Sequence, residues 1–303
     1  MGLGYHTVYF LACKGAKVYM GARSEQKALD AIHQLEADGV PKGSVEWLDL
    51  DLSDPRVAKK AAERFLEKEK RLDILVNNAG ISSGPFTKDK DGLLNATVVN
   101  HISPFAFTKA LLPLLQATSK EQGSDVRIIN LTSAAHSEVS VSSLSDKESV
   151  NKDYGTSYSG LLKTYGHTKL LNILYIKEFQ RQLDSGAQPG TPNNIICISV
   201  NPGMVQTHGS YTFLSQIPVF GWVLQLISPL MFTSPRKGAL NSAWAAASPE
   251  VRLGSWKEGG EKYKGVYVLP VGVLDAPSES ATSERLAREL WDTTEGILKE
   301  LGI

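Results

Sequence analysis

Short runs of β-branched and aliphatic residues alternate along the chain with longer stretches in which apolar residues recur every three or four positions. The short runs fall at 17–20, 44–48, 73–77, 126–132, 195–201 and 265–269, and the longer ones at 25–38, 56–68, 96–117 and 161–183. Strand-period and helix-period segments in strict alternation predict βαβ units and a parallel sheet. Ile74–Val76 and Ile195–Ile198 are unbroken apolar runs, as expected of strands covered on both faces. Glycine-, proline- and asparagine-rich loops separate the elements at 38–43 and 185–194. The polar, serine-rich stretch 137–156 reads as an excursion beside a site rather than a linker. No repeat or internal boundary breaks the pattern, so residues 1–303 are expected to form one α/β domain.

Composition narrows the partners. The 303 residues carry a formal net charge of zero, which gives no electrostatic reason to expect nucleic acid or an anionic membrane. Cys13 and Cys197 have no metal-ligand spacing and are too few for a disulfide framework, so both are expected as buried thiols and no metal site is expected. The first residues lack a basic region followed by an apolar core, and His6 stands where a myristoylation signal wants Ser or Thr. Residues 209–235 contain no charged side chain, and 213–232 are mostly apolar but interrupted by Pro218, Gly221 and Pro229. Such a stretch fits a substrate lid over about 208–234, or peripheral contact with a membrane surface, better than a span, which needs about 20 mainly apolar residues.

Candidate chemistry centres on Tyr165-Gly-His-Thr-Lys169. A spacing of four places phenol and ammonium on one helix face. A phenol titrates near ~10 in water, and an adjacent positive charge is expected to lower that value and tune it for proton transfer. Ser133 follows an apolar strand, where its hydroxyl faces the crevice in which α/β sheets bind ligands, or else caps the next turn. Asn77-Asn78-Ala79-Gly80 ends another strand in the same way, and Asn100 lies early in a helical stretch. Gly2-Leu3-Gly4 opens directly into a helical pattern, with no strand before it.

In this order, Gly2-x-Gly4, Asp51-Leu52, Asn77-Asn78-Ala79-Gly80, Val99-Asn100, Ser133, Tyr165-x-x-x-Lys169 and Asn201-Pro202-Gly203 with Thr207, the sequence resembles the short-chain dehydrogenase/reductase family over nearly its whole length. Lys237-Gly238-Ala239, the 265–270 segment and the Leu290-Trp291 helix resemble its fungal branch related to retinol dehydrogenases. The resemblance implies a Rossmann-type doubly wound sheet, N-terminally incomplete: the strand and first glycine that precede the phosphate turn in that family have no counterpart here. It implies Tyr165 as general acid and base, Lys169 as its activator and ribose anchor, Ser133 as the group polarising the substrate oxygen, and Asn100 as the holder of a water leading to Lys169. It implies a dinucleotide held by Gly2, Gly4, Asp51, Asn78, Gly80, Pro202, Gly203 and Thr207.

Ala22 stands where an acid would bond the 2′-hydroxyl of NAD, and Arg23 follows it. A guanidinium beside that ribose pairs with a 2′-phosphate, so NADP is expected over NAD. The expected activity interconverts a small hydrophobic alcohol and its ketone or aldehyde, in the cytoplasm or at a membrane surface, with a homo-oligomer left open. Two alternatives stand beside it. One is a catalytically impaired nucleotide-binding relative, motivated by the incomplete phosphate turn. The other is an epimerase or dehydratase, disfavoured because no larger C-terminal domain is evident.

Overall fold

The structure, a computed structural model, describes residues 1–186, 194–206, 232–253 and 260–303. Each stretch of alternating pattern becomes the expected element. Helix α1 (Leu3–Ala12) leads into β1 (Val18–Ala22), α2 (Glu25–Ala37), β2 (Val45–Asp49), α3 (Pro55–Lys68) and β3 (Ile74–Asn77). The long helix α4 (Asn95–Ser119) is followed by β4 (Val126–Leu131), α5 (Tyr158–Ser185) and β5 (Ile195–Val200). Helix α6 (Pro235–Ala247), β6 (Val266–Leu269), β7 (Val273–Asp275) and α7 (Glu284–Glu300) complete the order.

Local chemistry sets the helix starts. Ser24, Asp54, Ser157, Ser234 and Ser283 each accept a backbone N–H of the first turn of α2, α3, α5, α6 and α7, satisfying donors that a helix leaves open. The excursion between β4 and α5 is tied down by α7: Leu144 N donates to Glu289 Oε2 at 2.8 Å and Thr293 Oγ1 to Leu144 O at 2.7 Å.

Helices cover both faces of the sheet. On one face α3, α4 and α5 enclose a core built on Phe65, Phe105, Leu111, Leu170 and Ile173. On the other, α1 and α6 close over Ile129, Ile196, Ile198 and Val268, while α2 packs on α1 through Tyr5, Ile32 and Leu35. Helix α4 is the one described helix long and apolar enough to cross a membrane, yet most of it is buried inside the molecule. Its length and composition are those of a core helix. All six residues of β4 and of β5 are buried, as the unbroken apolar run 195–198 predicted. The matching expectation for 74–76 holds only at Leu75; Ile74 and Val76 are half-exposed.

The reason is a break in the sheet. Strands β1 and β2 pair in parallel as one ribbon, and β3-β4-β5-β6-β7 form a second sheet, parallel except for β7. A cavity of about 640 Å³ lies between β1 and β3 and leaves both bordering edges open. The doubly wound arrangement is therefore present with a gap at its centre.

The cysteine expectation is half corrected. Cys197 is buried in β5, where burial pushes its thiol pKa up, but Cys13 is exposed just past the end of α1. The Ser185–Asn194 loop lies largely outside the described residues. The lid expected over 208–234 does too, apart from its last three residues. Described backbone on either side of it pairs through Val205 and Thr233, with Gln206 N donating to Thr233 O at 2.9 Å.

Candidate active site

The carboxyl ends of β3, β4 and β5 lie side by side. Ser133 stands two residues beyond β4, Asn77 to Gly80 end and follow β3, and Asn201 to Gly203 follow β5. Helix α5 crosses beneath them and presents Tyr165 and Lys169 one turn apart. The phenol of Tyr165 hydrogen-bonds the Ser133 side chain, and the Lys169 Nζ lies 5.7 Å from the tyrosine ring centre. Ser133 also caps its own turn, its Oγ accepting Ala135 N at 3.2 Å. The capping role and the facing role expected as alternatives thus coexist.

Close approach of α5 to the serine turn depends on Gly166. A Cβ there would stand 2.2 Å from the backbone oxygen of Ala135. Backbone does not yield cheaply, so this contact sets how near Tyr165 comes to Ser133. Alanine in a helix interior normally gains about 1 kcal/mol over glycine. Here Gly166→Ala is expected to lower Tm by about 5 °C or more and turnover at least tenfold through the displaced serine turn. Thermal melts together with NADPH binding, which should persist, check this.

Lys169 is buried, with its ammonium donating to Leu131 O at 2.9 Å. Thr132 Oγ1 donates to the Lys169 carbonyl at 2.8 Å, holding helix against strand. Burial lowers the lysine pKa to about 8. The phenol moves the other way: burial raises the Tyr165 pKa, and the hydrogen bond from Ser133 offsets part of the rise. This corrects the expectation that the ammonium would pull the phenol down. In the crevice, desolvation of the phenolate outweighs a lysine 5.7 Å away, so Tyr165 rests protonated.

Asn100 lies in a widened, π-type turn, Val98–Ile102, within α4, a distortion often found at functional sites. Its amide clamps the loop that follows Gly80: Ile81 N donates to Oδ1 at 2.8 Å, and Nδ2 donates to Ile81 O and Thr168 Oγ1, both at 2.9 Å.

Three further groups join the site; the sequence passed over His136 and Asn172 and offered Asn201 only as part of Asn201-Pro202-Gly203. His136 Nδ1 lies 2.7 Å from Ser133 O while Nε2 accepts Ser278 N at 3.1 Å, so one imidazole bridges the serine turn and the C-terminal segment. Asn172 Nδ2 shares Leu131 O with Lys169 at 3.1 Å. Asn201 Nδ2 donates to the Tyr267 hydroxyl at 2.7 Å and its Oδ1 accepts Gly203 N at 2.9 Å, fixing the turn that carries Pro202. His136 and Asn172 belong to no spaced motif; only tertiary packing brings them in.

The described residues expected to hold a dinucleotide lie at the start of α1 and just past the ends of β1, β2, β3 and β5. Gly2 opens α1 with clear space around it and no side chain capping the first turn. A Cβ on Gly4 would fall 2.8 Å from Asn78 Nδ2, and one on Gly80 would fall 3.1 Å from Asn100 Oδ1 and 3.4 Å from Lys169 Nζ. Asn78 Oδ1 is buried and, among the described residues, has no hydrogen-bond partner. Arg23, directly after β1, is exposed, and among the described residues no ion pair engages it. Asp51 follows β2, with Oδ1 accepting Ser53 N at 2.9 Å. Thr207 lies outside the described residues.

The family profile described as short chain dehydrogenase matches residues 1–145. A short-chain dehydrogenase/reductase from Armillaria gallica is 41% identical over 299 residues, covering 99% of this chain and 90% of that protein. The chain belongs to the short-chain dehydrogenase/reductase family. Retinol dehydrogenase 14 of Mus musculus is 32% identical, over 98% of this chain and 84% of the relative. Among solved structures, a protein from Mycobacterium paratuberculosis superposes with a TM-score of 0.68 at 24% identity, covering 99% of this chain and 90% of that one. Pseudomonas aeruginosa RhlG, solved with NADP, superposes at 0.61 and 21% identity, over 89% and 91% of the two chains. This short-chain dehydrogenase/reductase is an NAD(P)-dependent oxidoreductase with a Rossmann-type fold.

Proposed function

We propose that the protein interconverts a hydrophobic alcohol and its ketone or aldehyde, with NADP as hydride carrier and Tyr165 as proton carrier. The observation that carries this reading is the hydrogen bond between Tyr165 and Ser133 beside a buried Lys169. In carbonyl reduction the protonated phenol donates to the substrate oxygen while Ser133 polarises it. In alcohol oxidation the phenolate, its charge stabilised by Lys169, accepts the proton. The nicotinamide supplies or receives the hydride when bound. We assign Asn100 the water that passes protons toward Lys169; its side chain serves Ile81 and Thr168, which leaves that water to the backbone of the widened turn.

For the cofactor, we assign Gly2 and Gly4 to the diphosphate, Asp51 to the adenine amino group, Asn78 and Gly80 to the adenosine ribose, and Pro202, Gly203 and Thr207 to the nicotinamide side. Arg23 favours the 2′-phosphate because it is exposed at the end of β1. Arg23→Glu is expected to raise the KM for NADPH by about 10- to 100-fold, the worth of a charge-assisted contact, and to leave NADH nearly unaffected. Initial rates with both cofactors measure this. Equal losses with NADPH and NADH would remove Arg23 from specificity.

The hydrophobic substrate class is supported by the apolar stretch 213–232 and by the 32% identity to a retinol dehydrogenase. The same stretch fits contact with a membrane surface from the cytoplasm. A panel of long-chain ketones and aldehydes against hydrophilic sugars tests the class; preference for the sugars contradicts it. A second reading, nucleotide binding without turnover, is favoured by one observation, the gap beside β3 and Gly4. NADPH fluorescence titration followed by the carbonyl panel separates the two.

A further inference from the structure

A short helical turn, Ala134–Glu138, follows Ser133 directly, and its middle residue, His136, folds back on it. The Ser133 carbonyl accepts the His136 backbone N–H at 3.1 Å and meets the ring at 2.7 Å. A carbonyl can only accept, so the ring proton sits on Nδ1. Nε2 is then the acceptor, and the Ser278 backbone N–H donates to it at 3.1 Å, with Ser137 Oγ farther off at 3.4 Å. A second ring proton would face the Ser278 N–H, so the two bonds select one neutral tautomer. His136 is 3% exposed, and burial holds its pKa below the ordinary value, which favours the same form. The Tyr267 ring packs against the imidazole with centroids 5.2 Å apart, and the Tyr267 hydroxyl is itself held by Asn201 Nδ2 at 2.7 Å. Ser278 on one nitrogen and Tyr267 against the ring make His136 a fixed donor.

We propose that His136 is a positioning residue for the transfer: its Nδ1–H fixes the Ser133 carbonyl and thereby aims the Ser133 hydroxyl at the substrate oxygen. The proposal rests on the roles assigned to Ser133 and Tyr165 and extends them by one residue. The Ser133 Oγ accepts Ala135 N at 3.2 Å across the same peptide group whose carbonyl His136 holds. Tilting that carbonyl therefore moves the hydroxyl too, and with it the hydrogen bond to the Tyr165 phenol. A displacement of about 1 Å in such a group can cost on the order of a hundredfold in rate. The seat of the imidazole comes from far along the chain. Ser278 lies between β7 and α7, and this segment also docks on the excursion after β4, where Val141 N donates to Ser280 Oγ at 3.3 Å. The C-terminal segment thus sets the serine turn through one ring.

Two substitutions divide the imidazole. In His136→Asn the amide nitrogen takes the place of Nδ1 and keeps the donor to Ser133 O. In His136→Gln the amide oxygen reaches the place of Nε2 and keeps the acceptor for Ser278 N, while the Ser133 bond is lost. Reduction of a hydrophobic ketone is measured per NADPH-binding site, beside melting temperature and NADPH affinity. The kcat of His136→Asn is expected within about threefold of wild type, and that of His136→Gln about 10- to 100-fold lower with NADPH affinity within about twofold. A role in stability alone would move Tm and leave kcat per site unchanged. Wild-type kcat in His136→Gln, or equal losses in both variants, overturns the proposal. If neither variant folds, Ser278→Pro carries the test: its φ of −56° already suits proline, and the change removes the N–H that seats Nε2. Its kcat is expected to fall about threefold or more, the worth of one hydrogen bond, and an unchanged kcat overturns the proposal. Tyr165→Phe, run alongside, separates the two claims. Turnover lost there but intact in His136→Gln refutes the positioning role alone; turnover intact in Tyr165→Phe refutes the assignment on which it rests.

Discussion

Tyr165→Phe is expected to lose about a thousandfold in kcat/KM while NADPH binds within about twofold of the wild-type affinity, the usual worth of a positioned general acid–base. The phenylalanine keeps the ring and its packing and removes one hydroxyl. That hydroxyl hydrogen-bonds Ser133, whose Oγ keeps its other contact with Ala135 N, so the crevice is expected to hold its shape. Because burial raises the Tyr165 pKa, the group holds its proton at neutral pH, the form that carbonyl reduction uses, and reduction should be the easier direction there. Oxidation requires the phenolate and should gain with rising pH. Steady-state rates in both directions across pH, beside NADPH titrations of wild type and variant, check both statements.

Lys169→Met is expected to do two opposite things: lower turnover at least a hundredfold and raise thermal stability at neutral pH. A lysine carried from a pKa of 10.5 to about 8 by burial costs the fold roughly 3 kcal/mol while it stays charged. That cost is present in full below pH about 8 and is relieved as pH rises toward 10.5, because the unfolded chain holds the proton across that interval and the folded one does not. Methionine fills similar space without the charge, and Leu131 O keeps its bond from Asn172 Nδ2 at 3.1 Å. The variant should therefore melt about 5–10 °C above wild type at pH 7, with the difference closing near pH 10.5. Such a trade of stability for function is a common property of active sites. A variant that melts lower at pH 7 would place Lys169 among the stabilising residues.

What the sequence disclosed follows from how each feature is encoded. Strands β4 and β5 were legible because full burial writes an unbroken apolar run, and α5 because Tyr165 and Lys169 sit on a helical period. Strand β7 left no trace: it has three exposed residues, Val273–Asp275, and no alternation to detect. The sign of the Tyr165 shift was also beyond reach. The neighbouring charge is visible in the spacing, whereas desolvation depends on what packs above the ring. Gly166 and His136 act through contacts with Ala135 and Ser278 that only the folded chain creates. The half-exposed Ile74 and Val76 show the same limit, since an apolar run does not reveal whether a neighbouring strand is there to cover it.

The claim at the centre is that Tyr165 passes the proton that accompanies hydride transfer. Single-turnover decay of nicotinamide absorbance, with NADPH-saturated protein mixed against a hydrophobic ketone, measures it directly. Wild type should show a fast phase that disappears in Tyr165→Phe at equal NADPH occupancy. A fast phase of the same rate in both proteins would contradict the account.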